Sequence, residues 1–510
     1  MANQENNLRD GACISPWQLA GKKAVDHSTH HEKHEIFDVI IIGGGITGLT
    51  TAYLLQQQGK RCIVLETQTI GFGTTGGTSS HLNTFFDATY ADIESDFGKE
   101  EAKLVAKAGK EAMALIKKLV NDLAIDCDLA EKDGYLFAQD EKQGKELSEI
   151  LTASKSAGIE VTEINKICVP IPFQSAIVFK GQGQFHPIKY IQKLAEAFIK
   201  LGGIISENTF ISDVEKNGDF YYATAEHQLF KGTQLVYATH AVPGVNAFSF
   251  KCAPYRSYVL GVILNDANYP EGLAYDMMDP YHYFRSHEID GQQYLIVGGE
   301  DHKTGQGDPT KAFEALEEYV KQYFNVKEVV FKWSSQYYIP TDGLPYIGAS
   351  PSLNNAYVAT GFNGNGMMFG TLSAMIISDH ILHKKNDYAS LFSPTRIKPI
   401  AGLSEFIQEN ANVAWHFIAD RFKSEEIDAF KDIPADSGQI VNFEGEKLAV
   451  YKGPKGKITA LSPVCTHAGC IVNFNPEEKT WDCPCHGGRY DIDGNVISGP
   501  PLKNLARYKS

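Results

Sequence analysis

Near the end of the chain two short segments, "CTHAGC" (465–470) and "CPCHGG" (483–488), each offer a thiol and an imidazole: Cys465-x-His467 and Cys483-x-x-His486. A thiolate is a soft anionic donor and an imidazole a neutral one, a combination that suits iron or zinc. The glycines and proline beside them let each segment close into a hairpin tip, and two such tips can face one metal centre. Zinc sites usually repeat one donor type, C-x-x-C with H-x-x-x-H. Alternation of the two types departs from that pattern and favours iron, with zinc the alternative. Cysteine usage points the same way. Of the nine cysteines, Cys13, Cys62, Cys127, Cys168 and Cys252 are dispersed, as small buried side chains are. The other four crowd into residues 465–485 and need a local explanation.

A second chemistry-bearing pattern lies at the opposite end. Gly43, Gly45 and Gly48 form G-x-G-x-x-G directly after the apolar run "VIII" and at the head of "ITGLTTAYLL". The first glycine permits a tight turn, the second lets the backbone approach a pyrophosphate, and the third lets helix pack on strand. Phosphates then rest at the positive helix end, on free N–H groups, and Gly44, Ile46 and Thr47 are expected among the cofactor-binding residues. Glu66 ends the next strand, "RCIVLE", where an acid can accept hydrogen bonds from an adenosine ribose. The pattern alone does not separate FAD from NAD, and no second copy stands in strand–turn–helix context.

Longer stretches carry a resemblance. "IGFGTTGGTSSHLN" (70–83), "GQFHPIKYIQKLAEAF" (183–198), "VYATHAVP" (236–243) and "DGLPYIGASPSLNNAYVATGFNGNGMMFGTLSAMIISD" (342–379) resemble segments of the D-amino-acid oxidase/glycine oxidase superfamily of FAD proteins. The likeness covers residues 36–395. It implies FAD, with Thr74, Thr75, Thr78, His81, Ala238, Thr239, Asn363, Gly364, Asn365, Gly366 and Met367 beside it. The N–H groups of Gly364 to Met367, at a helix start, would stabilise negative charge near N1 and the C2 carbonyl of reduced flavin. In some relatives a histidine of the 70–83 loop is bonded covalently to flavin. The tryptophan that precedes it there is Ser80 here, so His81 is expected as a non-covalent contact. The superfamily also holds substrate carboxylates with an arginine of its antiparallel domain, which implies Arg285, with Tyr283 on the same strand face and Tyr258 as a weaker candidate.

The C-terminal loops resemble Rieske [2Fe–2S] proteins of higher potential, in which two histidine ligands lift the potential to about −150 to +300 mV. That resemblance implies Cys465, His467, Cys483 and His486 as ligands and a disulfide between Cys470 and Cys485. "SGPP" (498–501) resembles the family's cluster-shielding loop, and Tyr490 occupies its tyrosine position. The family serine after "HG" is Gly488, so one hydroxyl donor to the cluster is missing and a potential below the top of that range is expected.

These groups require supporting elements. Apolar periodicity predicts helices at about 97–124 and 187–201, strands in "YRSYVLGVIL", "YHYFRS" and "QYLIVGG", and a final strand and long helix from "NNAYVAT" onward. The fold class expected is α/β with an α+β insertion: a Rossmann-like FAD-binding domain, an antiparallel-sheet substrate domain and a small all-β C-terminal domain. The expected divisions are a polar extension at 1–35, an oxidoreductase unit at 36–395, a linker with a bridging helix at 396–428 and the cluster domain at 429–510. The histidine run "DHSTHHEKHE" reads as a solvated linker.

With 510 residues and a formal charge of −15, the chain is a multidomain protein ill suited to nucleic acid or anionic membrane. No secretory leader or membrane span is expected, which points to the cytoplasm. The function expected is FAD-dependent oxidation of a C–N bond in an amine or amino acid, with electrons passing singly to the cluster and on to an acceptor, which a protein would suit. Two alternatives stand: an electron-transfer component without its own substrate, and a redox sensor.

Overall fold

In the computed structural model residues 9–20, 27–29, 35–396, 412–413, 416, 425–426 and 430–508 are described. The strand Ile36–Ile42 lies at the centre of a largely parallel sheet, between Gln228–Tyr237 and Cys62–Leu65, with Ala356–Thr360 and Ile204–Ser206 beyond them. Burial on both faces is why "VIII" is continuously apolar rather than alternating. Register pairs Ile42 with both Leu65 and Tyr237, so the three strands release the chain at one edge, at Gly43, Glu66 and Ala238. Helix Ile46–Gln57 follows directly and packs against the late helix Gly366–Ile381. The two helices expected from periodicity span Lys99–Asp122 and Pro187–Lys200. Two more, Glu141–Ser156 and Pro309–Tyr323, had no expectation attached.

A second, nine-stranded sheet supplies the facing wall. Its long strands are antiparallel: Val326–Pro340 beside Cys252–Leu264, then Gln292–Lys303 and Tyr283–Ile289. The strands expected in "YRSYVLGVIL", "YHYFRS" and "QYLIVGG" all lie here, whereas the final strand, Ala356–Thr360, belongs to the first sheet. At the C-terminus two four-stranded sheets of short strands form the small β unit. Most of the linker and bridging helix expected at 396–428 lies outside the described residues, which there are 396, 412–413, 416 and 425–426.

The extension before Ile36 is polar in composition, yet its described part is not a solvated lead-in. Trp17 is fully buried and donates from Nε1 to the carbonyl of Thr78; Ser15 donates to Gly76 O. His27 is buried against Glu207. Arg9 and Asp10 enter a buried ionic knot that joins the three parts of the chain. Arg9 Nη2 reaches Glu478 Oε1 at 3.2 Å and the carbonyl of Ser334 at 2.7 Å. Asp10 accepts from Arg489 Nη1 at 2.7 Å, and Arg489 Nε donates to Asp482 at 3.1 Å. Arg256, on the second sheet, stands 3.5 Å from Glu478 and donates to Ser334 Oγ at 2.7 Å. Three cations and three carboxylates thus share one dry space, none more than 6 % exposed. Charges are tolerated there because each is paired; removing one partner strands the other.

Burial alone would raise the Asp10 carboxyl, but Arg489 and Arg9 outweigh it and hold the group at about 2 against an ordinary 3.8. A folded value below the unfolded one stabilises fully above the unfolded value and is lost as pH falls through the folded value. The shift corresponds to about 2 kcal/mol. Acid unfolding should therefore show a limb between about pH 4 and pH 2 that Asp10→Asn flattens, while lowering stability near pH 7. Denaturant midpoints measured across that range check this; an unchanged limb in the variant would show that Asp10 is not part of the knot.

Candidate functional site

An elongated cavity opens at the carboxyl edge of the parallel sheet and runs between the two sheets. At one end Gly43 has φ +112°, and a side chain there would strike the carbonyl of Ala238 at 2.4 Å. A side chain on Gly48 would meet the carbonyl of Gly43 at 1.9 Å, so Gly48 is a packing glycine and does not line the cavity. Gly43, Gly44, Gly45, Ile46 and Thr47 do line it. Glu66 also borders it, its carboxylate anchored by the N–H groups of Gly44 (2.7 Å) and Gln68 (2.9 Å). The N–H of Ile46 donates to Thr75 Oγ1, and Thr74, Thr78, His81, Ala238 and Thr239 complete this region. An elongated groove with a glycine turn and a helix start at one end fits a dinucleotide.

At Asn363–Met367, all lining the cavity, the expected cluster of N–H donors is partly spent. Gly364 N donates to Asp87 Oδ2 at 2.7 Å and Asn365 N to Phe362 O. Gly366 and Met367, in the first turn of the helix, are left to face an anionic ring edge.

Two expectations are corrected at the second sheet. Arg285 does not border the cavity. It is fully buried; Nη1 donates to the carbonyls of Ser79 and Ser80, and Nη2 contacts His287 Nδ1 at 2.6 Å. Its guanidinium lies over Trp17. Arg285 therefore clamps the loop that carries His81 and is not presented to a substrate. Tyr258 is also buried, with its hydroxyl on His302 Nε2, while its neighbours Ser257 and Val259 face the cavity. Tyr283 is where the sequence placed it. Its ring lies across Gly298, where a side chain would meet it at 2.0 Å, and its hydroxyl is 3.0 Å from Ser257 Oγ.

The sequence did not single out Asp87, Tyr275, Tyr281, Asp301 and Tyr337, which line the same end. Tyr337 donates to Asp301 Oδ2 at 2.7 Å. Burial drives the Asp301 carboxyl up, to about 7, with the Ser257 and Tyr337 hydroxyls resisting. The available signal was "GGED", an acid two residues after a pair of strand glycines, and by itself it is no motif. His81 has Nδ1 against Ser79 Oγ at 3.0 Å, and burial together with Arg285 keeps its ring neutral.

The four cluster-ligand candidates converge as expected. The Cys465 and Cys483 thiols lie within hydrogen-bonding reach of each other, and the His467 and His486 rings are 4.8 Å apart. Both Nδ1 atoms are buried without a hydrogen-bond partner, which suits nitrogens that take a metal. The Tyr490 hydroxyl stands 3.2 Å from Cys465 Sγ. Cys470 and Cys485 are bonded, S–S 2.08 Å, and lace the two loops; their sulfurs lie within 4.8 Å of Cys483 but are spent on each other. The donor set fits an iron–sulfur cluster.

The two sites share a wall. Residues 496–499, 501 and 502, from the loop after the ligands, line the dinucleotide cavity itself. Gln336, another lining residue, donates to Gly487 O at 3.0 Å, and Tyr338 donates to His486 O at 3.2 Å. Ser249 Oγ stands 3.4 Å from His467 Nε2.

Residues 38–380 match the family of FAD dependent oxidoreductases, and residues 425–509 the Rieske [2Fe-2S] domain. A "Putative Rieske 2Fe-2S iron-sulfur protein YhfW" of Bacillus subtilis is 33% identical over 472 residues, 92% of either chain. Gamma-glutamylputrescine oxidoreductase of Escherichia coli is 24% identical over 67% of this chain and 83% of its own. Among solved structures, glycine oxidase from Geobacillus kaustophilus superposes with a TM-score of 0.60 at 20% identity, covering 71% of this chain and 99% of that one. No helix among the described residues is long and apolar enough to cross a membrane.

Two outcomes follow from the geometry. Arg285→Lys, which keeps the charge but loses the planar fork on two carbonyls, should cost about 2 kcal/mol of stability. It should also lower the flavin retained per chain, read from the visible-to-ultraviolet absorbance ratio, without a specific rise in KM. Acid precipitation should leave the yellow flavin in the supernatant; colour in the pellet would mean that His81 is bonded to it.

Proposed function

The chain belongs to the FAD-dependent oxidoreductase family and carries a Rieske [2Fe–2S] domain, and on that footing we propose that it oxidises a C–N bond of an amine or amino acid and passes the electrons singly to the cluster. The observation that carries this reading is the shared wall: the loop after the cluster ligands lines the cavity, and Gln336 touches both sides. Flavin accepts a hydride and releases electrons one at a time, while a [2Fe–2S] cluster takes one. The chain's own residues hold the glycine turn against the pyrophosphate, orient Tyr283 and its neighbours at the reacting end, and keep the neutral His81 ring beside them. The lining mixes apolar side chains with carboxylates, hydroxyls and tyrosine rings, so charge on the substrate meets protein partners at short range.

A cytoplasmic location and a one-electron acceptor outside the chain, which a protein would suit, belong to the same proposal. The acceptor would approach the cluster from the side of His467, which is half-buried, whereas His486 is turned inward.

Anaerobic titration with amines and amino acids tests the reading. A substrate should bleach the flavin and then bring up the reduced-cluster signal in electron paramagnetic resonance. In Cys465→Ser, which loses an iron ligand, the electrons should stay on the flavin, with turnover through the cluster reduced at least a hundredfold. Equal turnover with an artificial one-electron acceptor in both proteins would remove the cluster from the path.

A further inference from the structure

The charges at the reacting end of the cavity point to the class of substrate. Among the described residues lining the cavity there is no lysine or arginine, and four are acids: Asp10, Glu66, Asp87 and Asp301. The two lining histidines add no positive charge, since burial holds His81 well below its ordinary range and His240 at about 4. Three of the acids have settled partners. Asp10 is paired with Arg9 and Arg489, Glu66 is anchored on Gly44 and Gln68, and Asp87 accepts the N–H of Gly364. Asp301 differs. It stands among hydroxyls, with Tyr337 donating to it; among the described residues no lysine or arginine pairs with it, and the neighbouring His282 is committed to Asp276 and Glu300. A carboxylate enclosed without a counter-cation is unfavourable, and an arriving cation would relieve it.

The surroundings suit a cation as well. Tyr275, Tyr281, Tyr283 and Tyr337 line the same end, and the Tyr281 and Tyr283 rings are 6.0 Å apart. Phenol faces attract ammonium groups when both are shielded from water. A carboxylate on the substrate would find no such partner. Arg285, the one arginine of this strand, is turned away and committed to the carbonyls of Ser79 and Ser80. A substrate carboxylate would sit instead beside Asp301 and Asp87, like charge against like.

We propose that the substrate is a cationic amine with no carboxylate beside the carbon to be oxidised, its ammonium group held by the Asp301 carboxylate within a cage of tyrosine rings. This rests on the amine-oxidising reading above and narrows it. Asp301 then acts as the specificity-determining residue, selecting amines over α-amino acids by charge.

The test compares matched pairs on the holoprotein at pH 8: butylamine against norvaline, which carries the same chain plus an α-carboxylate, and their N-methyl homologues. Binding is measured by calorimetry and flavin difference spectra, and reduction by anaerobic bleaching. The amines should bind at least tenfold more tightly than their carboxylated counterparts. Asp301→Asn should weaken amine binding tenfold or more while flavin content and Tm stay unchanged, and Asp301→Glu should recover part of the loss. Equal or tighter binding of the amino acids, no binding by either class, or an unaltered affinity in Asp301→Asn overturns the assignment. Amine binding without any bleaching supports this site while sinking the dehydrogenase reading. Bleaching by amino acids in preference to amines does the reverse.

Discussion

Six buried charges decide how this chain is put together. Arg9, Asp10, Arg256, Glu478, Asp482 and Arg489 come from the N-terminal segment, the second sheet and the cluster unit, and each completes the solvation of the others. An apolar contact of the same size would tolerate sliding. Paired charges in a dry space do not, because a displacement of a few ångströms leaves one of them unpaired. The knot therefore sets a register. It places the loop of residues 496–502 at the rim of the dinucleotide cavity, and its location next to Ser334 ties that register to the strand Val326–Pro340.

That strand does two jobs through ordinary alternation. Side chains at successive positions leave a strand on opposite faces. Ser335 and Tyr337 face the cavity, whereas Ser334 and Tyr338 meet Glu478 and the carbonyl of His486. Gln336 lines the cavity with part of its length and reaches Gly487 with its amide. One backbone thus separates the reacting chamber from the cluster loops. Any change that shifts Val326–Pro340 must disturb both sites together, which is what an enzyme needs if its two redox centres are to remain at fixed separation.

What the sequence disclosed, and what it hid, follows from how local each signal is. The glycine turn, the apolar central strand and the C-x-H and C-x-x-H loops are complete within a few residues, and each stands where it was placed. Tyr283 was legible because period-two alternation is local too. Arg285 was not: its partners, the carbonyls of Ser79 and Ser80, are over two hundred residues away, and nothing in "YHYFRSHE" distinguishes a clamp from a substrate ligand. Asp301 and the other tyrosines converge only once the second sheet folds over the first. The N-terminal segment was hidden for a related reason. "LRDGACISPWQ" looks like a polar leader, and Arg9 and Asp10 become interior residues only because complementary charges from Arg489 and Glu478 wait more than 450 positions later.

Gly488 shows how the shared wall shapes the cluster itself. Relatives that carry a serine at this point can offer its hydroxyl to the cluster. Here a side-chain carbon at 488 would meet Pro501 Cδ at 2.8 Å, closer than such atoms approach, with Cys465 Sγ at 3.6 Å on its other side. Pro501 is tethered through its neighbour Pro500, whose carbonyl accepts from Gly244 N at 2.9 Å. Bringing the shielding loop against the cavity thus excludes the serine. The Tyr490 hydroxyl remains beside Cys465 sulfur, so one of the two hydroxyl contacts would be kept. Each donor to sulfur favours the reduced state, and a cluster with one fewer holds its electron less tightly. On the reading proposed above, the lower potential this implies would suit a centre that relays electrons onward rather than one that stores them. Proximity to the cavity and the loss of the serine are then two consequences of the same close packing.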